Sequence, residues 1–180
     1  MKKFKGTREA FAQALLDLAE KDDNVMFVSP DSLKAMRATK FAEVYPENYV
    51  EVGIAEQAAV DVAAGLAATG KIPFVGTYAG FLTMRACEQM RTFVGYPNLG
   101  VKFVGINAGL LGGEREGVTH QFYEDIGIVS NIPNYTILVP ADGNQAYHAV
   151  KAAYEIDGPV YVRAGSGSET DVYPEEAEFS

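Results

Sequence analysis

The chain has 180 residues, 48% of them hydrophobic, and a formal net charge of −9. This acidic balance argues against nonspecific binding to nucleic acid or to anionic membranes, because the field of the protein repels phosphates. No apolar stretch approaches the ~20 residues of a membrane span, and the amino terminus lacks the apolar core of a signal peptide. The single cysteine, Cys87, excludes an internal disulfide. We therefore expect a cytoplasmic protein.

Helical and strand patterns alternate along the whole chain. Thr7 is expected to cap a first helix that carries an apolar stripe at helical spacing. Asp142 is expected to cap a later helix that runs through Ala153. Further helices are predicted over residues 54–69 and 83–93, and apolar strands over residues 25–28, 49–52, 73–77, 101–104, 136–139 and 160–162. Continuous apolar strands separated by helices predict a three-layer α/β sandwich with a mostly parallel sheet.

We interpret residues 1–180 as one domain, since the sequence contains no internal repeat and no interior linker. The segment 167–180 is rich in acidic residues. We expect this tail to be a linker to a further carboxy-terminal domain that the sequence does not contain.

The segment 52–60 joins an extended run to a helix of small residues, and it carries one acid, Glu56. An acid at this point lies at the carboxyl end of a strand, where open α/β sheets place their ligands. Its neighbours in sequence are apolar, so we expect burial to disfavour the charged form and to suit the carboxyl to proton transfer on a heterocycle. The alternative is a structural glutamate that the helix dipole favours in the first turn.

Two other junctions combine glycine with aromatic or polar residues. Tyr78 and Phe81 are three residues apart after a strand, so they can stack on a flat ring or simply belong to the core. The loop 112–121 is rich in glycine, but it is no P-loop because the Lys-Ser/Thr pair is missing. Within it, His120 can act as an acid, a base or a donor near neutral pH, or can serve only as a structural hydrogen-bonding group.

Several motifs follow one another in an order that has a known parallel. They are Gly-Ile-Ala-Glu-Gln from residue 53, Pro-Phe-Val-Gly-Thr-Tyr-Ala-Gly-Phe from residue 73, Arg-Ala-Cys-Glu-Gln-Met-Arg from residue 85, Gly-Val-Thr-His-Gln from residue 117 with Glu124-Asp125 after it, and Val-Pro-Ala-Asp-Gly from residue 139. Together they resemble the pyrimidine-binding domain of transketolases, within the superfamily of thiamine-diphosphate enzymes. The resemblance runs from about residue 7 to residue 163, nearly the whole chain.

The resemblance implies a cofactor site for thiamine diphosphate. Glu56 corresponds to the glutamate that contacts a ring nitrogen of the aminopyrimidine and promotes the tautomer that creates the nucleophilic ylide. General acid–base assistance of this type typically contributes about 100-fold or more. Tyr78 and Phe81 correspond to the aromatic pocket of the pyrimidine, with Phe81 as the stacking residue, and Asp31 corresponds to an acid near the cofactor.

The resemblance also implies a site for sugar phosphates. His120 corresponds to a histidine that hydrogen-bonds the oxygens of the sugar donor and takes part in catalysis. Glu116 stands where an aspartate is usual, and Asn107 stands where transketolases commonly carry histidine. Arg8 and Arg163 correspond to arginines that hold the sugar phosphate, a role that suits a guanidinium fork, although ordinary surface pairing would also account for them.

The Gly-Asp-Gly…Asn pattern that holds the diphosphate through Mg²⁺ is missing from the sequence. The resemblance therefore implies a partner, a diphosphate-binding transketolase subunit that supplies the Mg²⁺ ligands in a homodimer or heterotetramer. One alternative is a fragment of 1-deoxy-D-xylulose-5-phosphate synthase, which would use the same glutamate to decarboxylate pyruvate. Another is a non-catalytic interaction domain, because fold alone does not establish function. An oxo-acid dehydrogenase β subunit is disfavoured, because that group usually has His-Ser-Gln where this chain has Thr119-His120-Gln121.

Overall fold

Six parallel strands form one sheet at the centre of the fold. The computed structural model describes residues 4–110, 116–167, 169–173 and 177. The strands are β1 (Val25–Ser29), β2 (Tyr49–Glu51), β3 (Ile72–Tyr78), β4 (Lys102–Ile106), β5 (Thr136–Leu138) and β6 (Val160–Arg163). Their order across the sheet is β2-β1-β3-β4-β6-β5, and every pairing is parallel. The mostly parallel sheet predicted from the sequence is confirmed.

Helices cover both faces of the sheet and complete the three layers. They are α1 (Thr7–Ala19), α2 (Thr39–Val44), α3 (Glu56–Ala68), α4 (Cys87–Gln89), α5 (Asp125–Val129) and α6 (Gly143–Glu155). On one face, Phe11 of α1 and Val150 of α6 share a buried cluster with Phe27 and Phe74 of the strands. On the other face, α3 and residues 81–95 pack against the strand residues of opposite orientation, such as Phe103. Burial on both faces explains why the strands are continuously apolar.

The helix predicted over residues 83–93 is longer than expected and is irregular. Two π-helical segments, Phe81–Arg85 and Met90–Gly95, lie on either side of α4. A π-helical turn holds one residue more than an α-helical turn, and such turns are frequent at functional sites. The first of these segments follows β3 directly, so it begins at the carboxyl edge of the sheet.

The predicted cap of α1 is wrong. Thr7 is the first helical residue, and its hydroxyl accepts a hydrogen bond from the backbone of Gly165 at 3.1 Å. The carboxylate of Glu169 caps the helix instead, because its Oε2 accepts the backbone N–H of Thr7 at 2.8 Å. This cap lies 162 residues away in the sequence, so no local pattern could indicate it.

The predicted cap of α6 is confirmed, and it also holds the chain beyond β6. One carboxylate oxygen of Asp142 accepts the backbone N–H of Gln145 at 2.8 Å. The other accepts the N–H groups of Val172 and Tyr173 at 2.8 and 2.7 Å. Burial by itself would raise the pKa of Asp142, but these backbone donors outweigh it and hold the pKa below the ordinary value of 3.8. That residues 167–180 lead to a further domain stays a prediction, and part of this tail lies outside the described residues.

Replacing Asp142 by Asn is expected to lower the free energy of unfolding by about 1 kcal/mol at neutral pH, since the cap loses its charge and one acceptor. A carboxyl whose pKa is lowered by folding contributes stability above its unfolded pKa, and that stability is lost as the pH falls through the folded value. The difference between wild type and variant should therefore be constant from pH 7 to about pH 5 and shrink below the ordinary pKa of 3.8. Thermal melts from pH 7 to pH 2.5 measure this. The exposed Asp23, changed to Asn, is the control, and a pH-independent difference would contradict the prediction.

Within the described ranges, no helix combines the length and the apolar composition needed to cross a lipid bilayer.

Candidate functional site

The candidate site lies where the strand order of the sheet reverses. The chain passes from β1 to β2 on one side and then returns to β3 on the other side of β1. In open α/β sheets, ligands bind outside the carboxyl ends of the strands at such a reversal. Asp31, Glu56 and Tyr78 follow or end β1, β2 and β3, so the fold brings three predicted site residues to this edge.

Glu51 ties together two turns at this edge. Its Oε1 accepts the backbone N–H of Asp31 at 2.7 Å and that of Gly53 at 2.8 Å, and Tyr49 donates its hydroxyl proton to Oε2 at 2.5 Å. Burial, and next the bond to Glu51, raise the pKa of Tyr49 to about 12. These bonds fix the chain directly before α3 and thereby the position of Glu56. Asp31, by contrast, is exposed.

Glu56 begins α3 and is almost completely buried, with 3% of its surface exposed. Its carboxylate has a cationic partner that the sequence analysis missed. One guanidinium nitrogen of Arg85, Nη1, lies 3.0 Å from Oε1 and 2.9 Å from Oε2. The carboxyl is buried as expected, and in addition an ion pair with Arg85 satisfies it. The sequence offered one signal that Arg85 lies near the predicted site: Phe81 and Arg85 are four residues apart and so share one helix face.

Three predicted aromatic residues form a compact cluster. The ring of His120 lies 4.7 Å from that of Tyr78 and 4.9 Å from that of Phe81, in both cases edge to face. Tyr78 and Phe81 are 5.7 Å apart. The hydroxyl of Thr119 lies 2.9 Å from Nδ1 of His120 and helps to orient the imidazole. The guanidinium carbon of Arg85 lies 4.3 Å from the centre of the Phe81 ring, so this cluster is continuous with the Glu56–Arg85 ion pair.

A cavity of about 560 Å³ opens beside this cluster; we call it the Phe81 cavity. Much of its rim is apolar and exposed, with Val118 at 82% and Tyr123 at 65% exposure. The lining residues are Gly80, Phe81, Met84, Arg85, Val118, Thr119, Gln121, Phe122, Tyr123 and Glu124. Arg85 lines the cavity, and Glu56 is not among the lining residues.

Two of the predicted sugar-binding residues converge on the carbonyl oxygen of Gly165. The backbone N–H of Asn107 donates to it at 3.1 Å, and Nε of Arg8 lies 3.5 Å from it. Burial lowers the pKa of Arg8, and the negative charges of Glu169 and Glu116 partly offset this effect. Asn107 has a positive φ of 56° and is buried, whereas Glu116 is exposed. Residues 112–115 of the glycine-rich loop lie outside the described residues.

The remaining predicted residue, Arg163, is held by a buried acid, Asp125, which belongs to one of the motifs but received no predicted role. Oδ2 of Asp125 accepts hydrogen bonds from Nε of Arg163 and from the hydroxyl of Tyr161, each at 2.8 Å. Asp125 has no exposed surface, and its other oxygen has no hydrogen-bond partner among the described residues. Burial, and next the charge of Asp125, raise the pKa of Tyr161 well above its ordinary value.

Replacing Gly105 by Ala is expected to disrupt the hydrogen bonds that Asp125 accepts from Tyr161 and Arg163. A Cβ at this position would lie 2.5 Å from the hydroxyl oxygen of Tyr161, so the buried ring must shift. Overpacking of this kind typically costs about 1–3 kcal/mol, measurable by urea unfolding. Gly65 in α3 is the control, because a Cβ there meets nothing within 4 Å and alanine should stabilise the helix by about 0.5–1 kcal/mol. Equal stability of the two variants would show that Tyr161 tolerates displacement.

No group of three or more His, Cys, Asp or Glu side chains is arranged to hold a metal ion in the part of the chain that the structure describes.

Comparison with known proteins gives a consistent result. The profile of the family described as "Transketolase, pyrimidine binding domain" matches residues 5–168. A provisionally named transketolase C-terminal section of Methanocaldococcus jannaschii is 37% identical over 175 residues, which cover 97% of this chain and 55% of that relative. The 1-deoxy-D-xylulose-5-phosphate synthase of Macrococcus caseolyticus is 39% identical over 159 residues, covering 88% of this chain and 25% of the enzyme.

A solved structure described as "Split gene transketolase, inactive beta4 tetramer" is similar in fold as well as sequence. It superposes with a TM-score of 0.85 at 38% identity and covers 97% of this chain and 56% of that one. The chain thus spans about half the length of these split relatives.

Proposed function

The chain belongs to the family of transketolase pyrimidine-binding domains, and from this premise we propose that it forms half of a thiamine-diphosphate-dependent active site. The other half is a diphosphate-binding subunit that carries the Mg²⁺ ligands. The paired enzyme transfers a two-carbon ketol unit between sugar phosphates.

One observation carries this proposal: a planar, nitrogen-bearing group already fits between Glu56 and Phe81. The guanidinium of Arg85 contacts the carboxylate at 2.9 Å and lies 4.3 Å from the centre of the aromatic ring. An aminopyrimidine is also planar and also presents ring nitrogen and amino groups. The carboxylate, the aromatic face and the neighbouring cavity of about 560 Å³ therefore suit this ring.

The residues of the chain then have distinct tasks. Thiamine diphosphate, when bound, supplies the nucleophilic carbon and the electron sink for cleaving a carbon–carbon bond next to a carbonyl. Glu56 holds a proton at a ring nitrogen, and its burial strengthens that hydrogen bond. Phe81 stacks on the ring, and Tyr78 packs at the edge of Phe81. His120 presents a donor towards the sugar oxygens from the same cluster.

The sugar phosphate is assigned to the arginines near the same edge of the sheet. Asp125 holds Nε of Arg163, which restricts the directions in which the rest of the guanidinium can point. Arg8 lies beside Asn107, since both donate to the carbonyl oxygen of Gly165. We propose that Asn107 and Glu116 contact the sugar next to these arginines.

The partner is inferred from the split relatives. One of them is a transketolase C-terminal section, and another is described as an inactive tetramer of β subunits. Exposed apolar side chains surround the Phe81 cavity, including Met84, Val118 and Tyr123. Contiguous exposed apolar surface is typical of an interaction site. We propose that the diphosphate-binding subunit covers this face in a homodimer of pairs, a heterotetramer.

Calorimetric titration of thiamine diphosphate and Mg²⁺ into the chain mixed with the diphosphate-binding subunit of a split transketolase tests the proposal. We expect saturable heat and two-carbon transfer from the mixture, whereas this chain alone should bind the cofactor weakly and show no transfer. The absence of cofactor-dependent heat from the mixture would instead support a non-catalytic interaction domain.

The synthase relative from Macrococcus caseolyticus supports a second candidate, a 1-deoxy-D-xylulose-5-phosphate synthase activity that uses the same site. Incubating the paired subunits with pyruvate and glyceraldehyde phosphate separates the two activities. Carbon dioxide release from pyruvate would favour the synthase, and transfer only from ketose phosphates would favour the transketolase.

A further inference from the structure

The position of Arg85 has a consequence for cofactor entry. Its guanidinium occupies two binding elements at once, because one nitrogen contacts both oxygens of Glu56 and the guanidinium carbon lies over the ring of Phe81. These are the carboxylate and the aromatic face that the proposed function assigns to the pyrimidine. A guanidinium and an aminopyrimidine cannot occupy this position together.

The different burial of Glu56 and Arg85 shows which of the two side chains must move when a ligand binds. Glu56 is 3% exposed and is held at the start of α3, whereas 47% of the Arg85 side chain is exposed. Arg85 also lines the Phe81 cavity whereas Glu56 does not, so a ligand entering from the cavity would meet Arg85 before the carboxylate. An exposed arginine side chain on a long flexible stem can rotate into the cavity without unfolding α3.

We propose that Arg85 is a gate that occupies the pyrimidine position of the free chain and swings into the Phe81 cavity when the cofactor ring binds. This inference rests on the proposed function and adds a regulatory element to the same site. Occupancy by the guanidinium reduces the apparent affinity for the ring, because only the open fraction of the chain can bind it. If about nine-tenths of the free chain is closed, removing the gate tightens binding by about tenfold.

The test uses the chain by itself and the isolated ring, 4-amino-2-methylpyrimidine, with its dissociation constant measured by ligand-observed NMR titration. The Arg85→Met variant keeps a long apolar side chain near Phe81 but lacks the guanidinium. We expect about tenfold tighter binding for this variant. Millimolar methylguanidinium added to Arg85→Met should compete with the ring and restore weak binding. Arg85→Lys, which keeps the charge without the planar group, should bind with intermediate affinity.

Two controls accompany these measurements. Arg91→Met removes an exposed arginine from the same irregular helical region and should leave the dissociation constant unchanged. Glu56→Gln combined with Arg85→Met should lose the gain in affinity. Thermal melts confirm that each variant is folded.

The outcomes separate the gate from the proposed function. Unchanged or weaker ring binding by Arg85→Met, with Glu56→Gln still weakening binding, would overturn the gate and leave the cofactor site intact. A chain in which neither wild type nor any variant binds the ring would overturn both. Tighter binding that methylguanidinium reverses supports the gate, since a merely structural arginine predicts no such competition.

Discussion

Replacing Glu56 by Gln is expected to lower two-carbon transfer by the paired enzyme about 100-fold or more. The reason is that an amide cannot hold or exchange a proton at the ring nitrogen, and general acid–base assistance of this kind contributes about that factor. The change is nearly isosteric, so α3 and the packing of this buried position should be retained. Steady-state rates at saturating thiamine diphosphate and Mg²⁺ measure the effect.

A matched control is available in the same part of the chain. Glu47 precedes β2 and is exposed, so Glu47→Gln makes the same chemical change at a distance from the site and should keep full activity. Undiminished activity of Glu56→Gln would refute the role assigned to this carboxyl. A loss that appears only as weaker cofactor binding, and that vanishes at saturation, would limit Glu56 to binding.

Replacing Asp125 by Ala is expected to give the largest loss of stability, about 3–5 kcal/mol in the free energy of unfolding. The variant leaves the guanidinium of Arg163 without its acid and the buried hydroxyl of Tyr161 without its acceptor. Removing one partner of a buried ion pair is costly because the remaining charge stays in a poorly solvated place. Urea unfolding of wild type and variant measures the difference.

A double-mutant cycle isolates the contribution of the uncompensated charge. If the unpaired guanidinium causes most of the loss, Asp125→Ala should cost less in an Arg163→Met background than in the wild type. Strict additivity of the two substitutions would show that the ion pair is unimportant. Total destabilisation below about 1 kcal/mol would show that water or a rearranged neighbour replaces the carboxylate.

The roles assigned to the site residues stay predictions, but the fold explains why so many of them were found in the sequence. Glu56 and Tyr78 were identified from their positions after apolar strands, and Asp31 was identified from the resemblance to transketolases. Parallel strands end at one edge of the sheet, so residues after different strands are brought together there. The placement of His120 against Tyr78 and Phe81 needed the structure, because it comes from a loop rather than from a strand end.

The helix over residues 81–95 shows where local patterns are insufficient. The apolar spacing predicted a regular helix over residues 83–93. The structure extends it in both directions and includes two π-helical segments. Sequence periodicity does not reveal one additional residue per turn, since packing against α3 and the sheet decides how each turn closes.

Local sequence patterns were sufficient to predict the three-layer arrangement, the parallel sheet and the cap of α6 by Asp142, because each depends on hydrophobic periodicity or on neighbours within a few residues. The ion pairs Glu56–Arg85 and Asp125–Arg163 and the cap of α1 by Glu169 became visible only in the folded chain. These partners are 29, 38 and 162 residues apart. Charged side chains of this kind have no periodic signature, so their pairing depends on where the folded backbone places them.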